Sequence, residues 1–325
     1  MVKYENIIQA IDTYIEKCSR NEPKNSSGLQ NINPENTLNN GGLTVKDLQQ
    51  IGEDISKRFN LEVNINMDGE KDIDETHFSL WDKEYKTQIN LGALIQHQDW
   101  VDFTNQGKAL YNIDEIIGYY TSMPNIMKKA TPVIRFEDSY NGCYTSYEHN
   151  TITLASDLFI AKQKGHESYN VQNALYHECG HALEFKYSLL PPSEGYYISQ
   201  LSEYKQRMES NNRTFASEYS KKFYMSNVGR YDCNFEDFAE TVRMVAFDKI
   251  EDKSNAQLIR VDTLGGKTMP IIEDHSSFKT NHKETYDFVK DILNDRWELH
   301  ERKRYSDEEY WKPYKPSYQK LGLWD

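Results

Sequence analysis

The residues best equipped for chemistry sit in NALYHECGHALEF, residues 173–185. His177 and His181 are four positions apart, so on a helix their imidazoles leave one face about a turn from each other. Two neutral imidazoles in that relation share one Zn²⁺, each at about 2.0–2.1 Å. Glu178 is rotated by about 100° from His177 and reaches the open side of the ion without taking a ligand position. A carboxylate there is placed to act as general base on a water, so the motif points to hydrolysis. Ala174, Gly180 and Ala182 are small and admit a neighbouring backbone close to this helix. The plain alternative is a helix with two surface or hydrogen-bonded histidines and no metal.

Downstream residues weigh against that alternative. A catalytic zinc needs a third protein ligand and an open position for water. NFEDFAETVRMVAF, residues 234–247, predicts a helix with Asn234 as N-cap and Phe235, Phe238, Val242 and Val245 as its apolar residues. Glu236 and Glu240 lie four apart on one face of it. One carboxylate can bind the metal while the other hydrogen-bonds a ligand histidine. A pair of solvated glutamates is the bland reading of ExxxE; core aromatics beside it and HExxH before it favour the metal role. Glu218 in FASEYS and Glu194 in PPSEGYY are rival third ligands, the latter after a Pro-Pro break that needs a loop to carry it back.

Several elements must position these groups. Residues 4–18 carry Tyr4, Ile7, Ile8, Ile11, Tyr14, Ile15 and Cys18 at helical spacing, and 19–42 form a polar, Asn-rich linker or long loop. A second helix starts at Thr44 as N-cap, with Leu48, Ile51, Ile55 and Phe59 on one face. LEVNIN (61–66) alternates as a strand does, and HFSLW with TQINL (77–91) predicts a hairpin. Residues 114–129 are helical and broken or kinked at Pro124. PVIRF (132–136) and NTITLA (150–155) are strands, and turn residues between them predict a hairpin or meander. Helices are expected over about 170–187, 202–224, 235–250 and 283–294. The aromatic tail, 296–325, is expected to lie back on the domain, because free it would expose apolar surface.

Composition bounds the partners. A net charge of −13 argues against nucleic acid and anionic membranes, whose phosphates need a basic surface. No segment approaches the roughly 18 apolar residues of a membrane span. The four cysteines (Cys18, Cys143, Cys179, Cys233) are scattered with no CxxC pair, which suggests free thiols and a reducing compartment. The opening residues contain no signal peptide, so a cytoplasmic protein is expected; secretion would require a leader beyond this sequence. Oligomeric state is not legible.

The motifs ALYHECGHALEF (174–185), EDFAETVRM (236–244), GCYTSYEHNTITLA (142–155) and NHKETYDFVKDILND (281–295) together resemble the zinc metallopeptidases related to anthrax lethal factor and the secreted clostridial Pro-Pro endopeptidases. The resemblance covers about residues 110–295, roughly half the chain. It implies Zn²⁺ as cofactor, Glu236 as third ligand and Glu240 hydrogen-bonded behind a ligand histidine. It also implies that NTITLA is an edge strand along which an extended substrate adds by β-pairing. The family places a tyrosine shortly before the ligand glutamate, where its hydroxyl stabilises the oxyanion. That spacing falls near Gly229, which has no hydroxyl; Tyr231 in GRYDCNFED is the nearest candidate and Tyr224 the reserve.

The expected fold is α+β, a zincin-like metallopeptidase domain. A small twisted sheet ends in an edge strand, the HExxH helix lies beneath it, and a helical C-terminal subdomain supplies Glu236. Domain 110–295 follows a small N-terminal α/β region, 43–109, which is a separate domain or a lid. The expected function is a zinc-dependent endopeptidase acting on a peptide or protein substrate, with Glu178 and Tyr231 catalytic. The alternative is a catalytically silent zinc-binding interaction module derived from a toxin-like metallopeptidase. An intracellular regulatory protease with one protein target is a third reading.

Overall fold

The computed structural model of the chain describes residues 45–65, 78–91, 113–137, 143–146, 151–155, 171–186, 197–210, 214–228, 234–264 and 267–296. The helix expected over 4–18, the Asn-rich segment, Thr44 and the tail beyond position 296 lie outside these residues.

The fold is mixed α+β. Helix α1 (Val45–Phe59) buries Ile55 and lays Phe59 against the core. It leads through Asn60, at φ 55°, into β1 (Glu62–Ile65). Gly52 allows the close approach of α1 to β1, because a Cβ there would stand 2.4 Å from a Val63 methyl. Strands β2 (Phe78–Asp82) and β3 (Thr87–Asn90) form the expected antiparallel hairpin, and β1 pairs antiparallel with β2. Helices α2 (Ile113–Ser122) and α3 (Asn125–Ala130) follow, divided at Pro124 as its missing N–H dictates. They form the crossover that a parallel pair requires, and β4 (Val133–Glu137) then lies parallel to β3. The sheet therefore runs without interruption across position 110.

Two expectations about this sheet are overturned. Strands β4 and β6 (Thr151–Ala155) are parallel neighbours, not a hairpin or meander. The turn-rich segment between them holds a strand of its own, β5 (Tyr144–Ser146), which pairs antiparallel on the far side of β6. The sheet order is β1-β2-β3-β4-β6-β5, so the edge is β5 and NTITLA lies inside. All five residues of β6 are buried, as befits a strand with neighbours on both sides.

Beneath the sheet runs α4 (Val171–Lys186), buried from Val171 through Glu184. The 3₁₀ turn Ile198–Gln200, α5 (Ser202–Ser210), α6 (Glu218–Ser226) and α7 (Phe235–Ala246) follow. The expected single helix over 202–224 is two, because Ser217 caps a new N-terminus: its side chain accepts from Ser220 N and Ser220 answers reciprocally. Asn234 holds the N-cap position of α7 but does not cap it; its amide donates to Ser199 O instead. A 3₁₀ turn (Phe247–Lys249) ends that helix. A ribbon of β7 (Gln257–Leu264) and β8 (Lys267–Asp274), absent from the sequence expectations, precedes α8 (His275–Asn281) and α9 (Lys283–Asp291).

Helices α4 and α7 pack backbone to backbone. A Cβ on Gly180 would lie 2.7 Å from Ala239 Cα, so the glycine is what permits the contact. No described helix is long and apolar enough to cross a membrane.

Candidate metal centre

Two buried helices supply the polar groups of the site, and each buried polar group needs a partner. From α4, His177 and His181 project one turn apart with Nε2 atoms 3.1 Å from each other. From α7, Glu236 Oε2 comes within 3.0 Å of His177 Nε2 and 3.4 Å of His181 Nε2. All three residues are buried. Four donors arranged tetrahedrally at about 2.0–2.1 Å from an ion stand about 3.3 Å apart. The three separations surround that value, so the triad fits a small divalent cation.

The remaining nitrogens and oxygens are organised behind the triad. Glu240 Oε1 lies 2.9 Å from His177 Nδ1, which leaves Nε2 facing Glu236. The other oxygen of Glu240 accepts from Arg243, completing a His177–Glu240–Arg243 chain. His181 is fixed by packing, its ring stacked on Phe235 with centroids 4.1 Å apart and planes at 19°. Glu236 thus belongs to the group that could hold a metal ion, and Glu240 lies behind His177.

Charge explains the proton affinities. Burial acts to lower the His177 pKa, but hydrogen bonds to Glu236 and Glu240 and their charges override it and raise it to about 10. Burial acts to raise the Glu236 pKa, and His181 and His177 overcome it and hold the carboxyl well below the usual range. Glu178, Glu236 and Glu240 bring three carboxylates together, and among the described residues Arg243 is the permanent cation paired with them. A divalent cation would offset the negative charge gathered here.

Glu178 is buried beside the triad, and Thr145 Oγ1 lies 2.7 Å from its Oε2 and 2.9 Å from its main-chain oxygen. Cys179, inside the same motif, points away: its thiol contacts Met123 Sδ at 3.4 Å and Thr131 Oγ1 at 3.6 Å. Burial pushes that thiol up to about 12, so Cys179 is a packed neutral group and not a ligand.

Tyr231 and the rival ligand Glu194 lie outside the described residues. Glu218 opens α6 beside Lys222 and is not part of the triad, and the ring of Tyr224 packs on Phe215. Among the described residues, the tyrosine at the site is Tyr219. Its ring centroid is 6.1 Å from that of His177, and burial, the charges of Glu236, Glu178 and Glu240, and a hydrogen bond to Glu236 raise its phenol pKa. The residue is 56% exposed, while its hydroxyl hydrogen-bonds Glu236.

Asp237, next to Glu236 of the triad, explains how α6 brings Tyr219 there. Its Oδ1 accepts from Ala216 N at 2.7 Å and Ser220 Oγ at 3.1 Å, and its Oδ2 accepts from Tyr204 at 2.9 Å. The start of α6 is thus pinned to the first turn of α7. Glu184 does the same on α4, accepting from Ser199 N at 2.6 Å and Ser199 Oγ at 3.3 Å. No family model, curated protein or solved structure matches the chain.

Proposed function

We propose that the chain is a zinc-dependent endopeptidase with a zincin-like fold, its zinc held by His177, His181 and Glu236. The observation that carries this reading is the convergence of three donor atoms at 3.0, 3.1 and 3.4 Å with the unliganding carboxylate Glu178 beside them. Two imidazoles and one carboxylate leave a fourth position open, the donor set of a hydrolytic zinc site. Bound there, zinc supplies Lewis acidity, easing the ionisation of a water and polarising the scissile carbonyl.

The protein's own groups do the rest. Glu178 accepts the proton of the attacking water and returns it to the leaving amine. Tyr219, its hydroxyl directed at the same centre, donates to the developing oxyanion. It takes the role the family resemblance assigns to a tyrosine and for which Tyr231 was expected. Glu240 and Arg243 hold His177 in one ring orientation. A peptide substrate is favoured because β5, the sheet edge, lies against α4 and leaves one side free of described strands. An extended chain pairs along such an edge.

The test is metal content and cleavage of a diverse peptide library by wild type, His177→Ala and Glu178→Gln. About one zinc per chain is expected in wild type and in Glu178→Gln, and loss of it in His177→Ala. Cleavage is expected to fall by about 10²–10⁴-fold in Glu178→Gln. Near-wild-type turnover by zinc-loaded Glu178→Gln would remove Glu178 from the mechanism. Zinc binding with no cleavage of any peptide would favour the silent interaction module.

A further inference from the structure

We propose that Thr145 is a positioning residue that sets the orientation of the Glu178 carboxylate from the edge strand. The sheet register shows why this residue is unusual. Ile89 pairs with Ile134, Ile134 with Ile152, and Ile152 with Thr145, so one row crosses β3, β4, β6 and β5. The three isoleucines are buried. At the end of the row, against α4, a threonine stands where another β-branched apolar residue would continue it. Valine has nearly the same shape, so packing alone does not require the hydroxyl.

That hydroxyl has a use. It lies 2.7 Å from Glu178 Oε2 and 2.9 Å from the Glu178 main-chain oxygen. One hydroxyl carries one hydrogen, so it serves these two acceptors by sharing or in alternation. Either way the side-chain and main-chain oxygens of Glu178 are tied to a single atom of β5. Neighbouring side chains on a strand point to opposite faces, so Tyr144 and Ser146 turn away and Thr145 is the β5 residue that can reach α4. The edge where a substrate strand would pair and the base that would act on it are thereby one mechanical unit.

The effect on turnover rests on the peptidase reading, while the contact itself does not, and the experiment separates the two. In zinc-loaded protein, Thr145→Val is expected to lower kcat by about 10–100-fold with KM within about threefold, since small misplacements of a catalytic group cost that much. Thr145→Ser, which keeps the hydroxyl, is expected to stay within about threefold of wild type in kcat. Zinc content is expected to be unchanged in both. Thr145→Val with wild-type kcat, or Thr145→Ser as slow as Thr145→Val, would overturn the proposal. A double-mutant cycle in metal-free protein then reads the contact without activity. The unfolding constants of Thr145→Val, Glu178→Ala and the double variant are compared by denaturant titration. The double variant is expected to change the constant by at least about fivefold less than the product of the single changes. Agreement with that product within about twofold would show that Thr145 does not hold Glu178. If wild type cleaves nothing, the peptidase reading falls and this cycle alone decides the contact.

Discussion

His177, Glu178 and His181 can be found in the sequence because they lie within about one helical turn, as do Glu236 and Glu240; what joined the two sets was the family resemblance. Tyr219 has no such signature. It sits at the start of α6, a separate helix from the one that carries Glu236, and comes to the centre because Asp237 accepts from Ala216 N and Ser220 Oγ and pins the start of α6. The one available clue was Ser217 as an N-cap, which splits the run over 202–224 and gives α6 its own start beside FASEYS. The family spacing falls near Gly229 and makes Tyr231 the nearest candidate, a residue outside those described. If Tyr219 donates to the oxyanion, Tyr219→Phe is expected to lower kcat by about 10²–10³-fold, the typical cost of one such donor. KM and zinc content are expected to change little. Steady-state kinetics on Tyr219→Phe and Tyr231→Phe in parallel check this. A full loss in the Tyr231 variant with none in Tyr219→Phe would return the role to Tyr231.

At the scale of elements, the two helices that carry the triad were legible and the pairing of their partners in the sheet was not. Helix α7 repeats its apolar residues at helical spacing, and α4 announces itself through HExxH between small residues. The pairing of β4 with β6 depends on where β5 goes, and three residues, Tyr144–Ser146, have too little pattern to declare a strand. A tight turn between β4 and β6 was the simpler local reading, and tertiary pairing overrode it. Even the β7–β8 ribbon carried a readable sign, the Gly265-Gly266 pair typical of a hairpin turn. What α4 and α7 share is a contact with no room for a methyl group, since a Cβ on Gly180 would stand 2.7 Å from Ala239 Cα. The obstacle is backbone, so a side-chain rotation cannot relieve it. Gly180→Ala is expected to destabilise the protein by about 1–3 kcal/mol, as overpacking does. It is also expected to weaken zinc affinity, because the helices holding His177 and Glu236 must part. Denaturant unfolding with a chelator, followed by zinc titration, checks both effects. Unchanged stability would show that α4 and α7 pack less tightly than this.

For the molecule as a whole, a cation at the triad would link α4 to α7, and its binding energy would add to the folding energy. The chain is acidic, with a net charge of −13, and the carboxyl groups gathered around the triad place part of its acidity in the interior. Without a metal, a proton on His177 offsets part of it. Its pKa is raised from 6.5 to about 10, so its contribution to stability is fully present below pH 6.5 and is lost as pH rises through about 10. A metal needs the same nitrogen deprotonated, so the ion and the proton compete. Between about pH 7 and 10, displacing one proton should tighten apparent zinc affinity by about tenfold per pH unit. The stabilisation from a fixed excess of zinc, RT ln(1 + [L]/Kd), grows accordingly by about 1.4 kcal/mol per unit. Melting temperatures of chelated and zinc-loaded protein, measured from pH 6.5 to 9.5, give the gap directly and cancel groups that titrate alike in both forms. The gap is expected to widen with pH. A gap independent of pH would mean that His177 is already neutral in the metal-free protein, and that Glu236 and Glu240 do not hold a proton there.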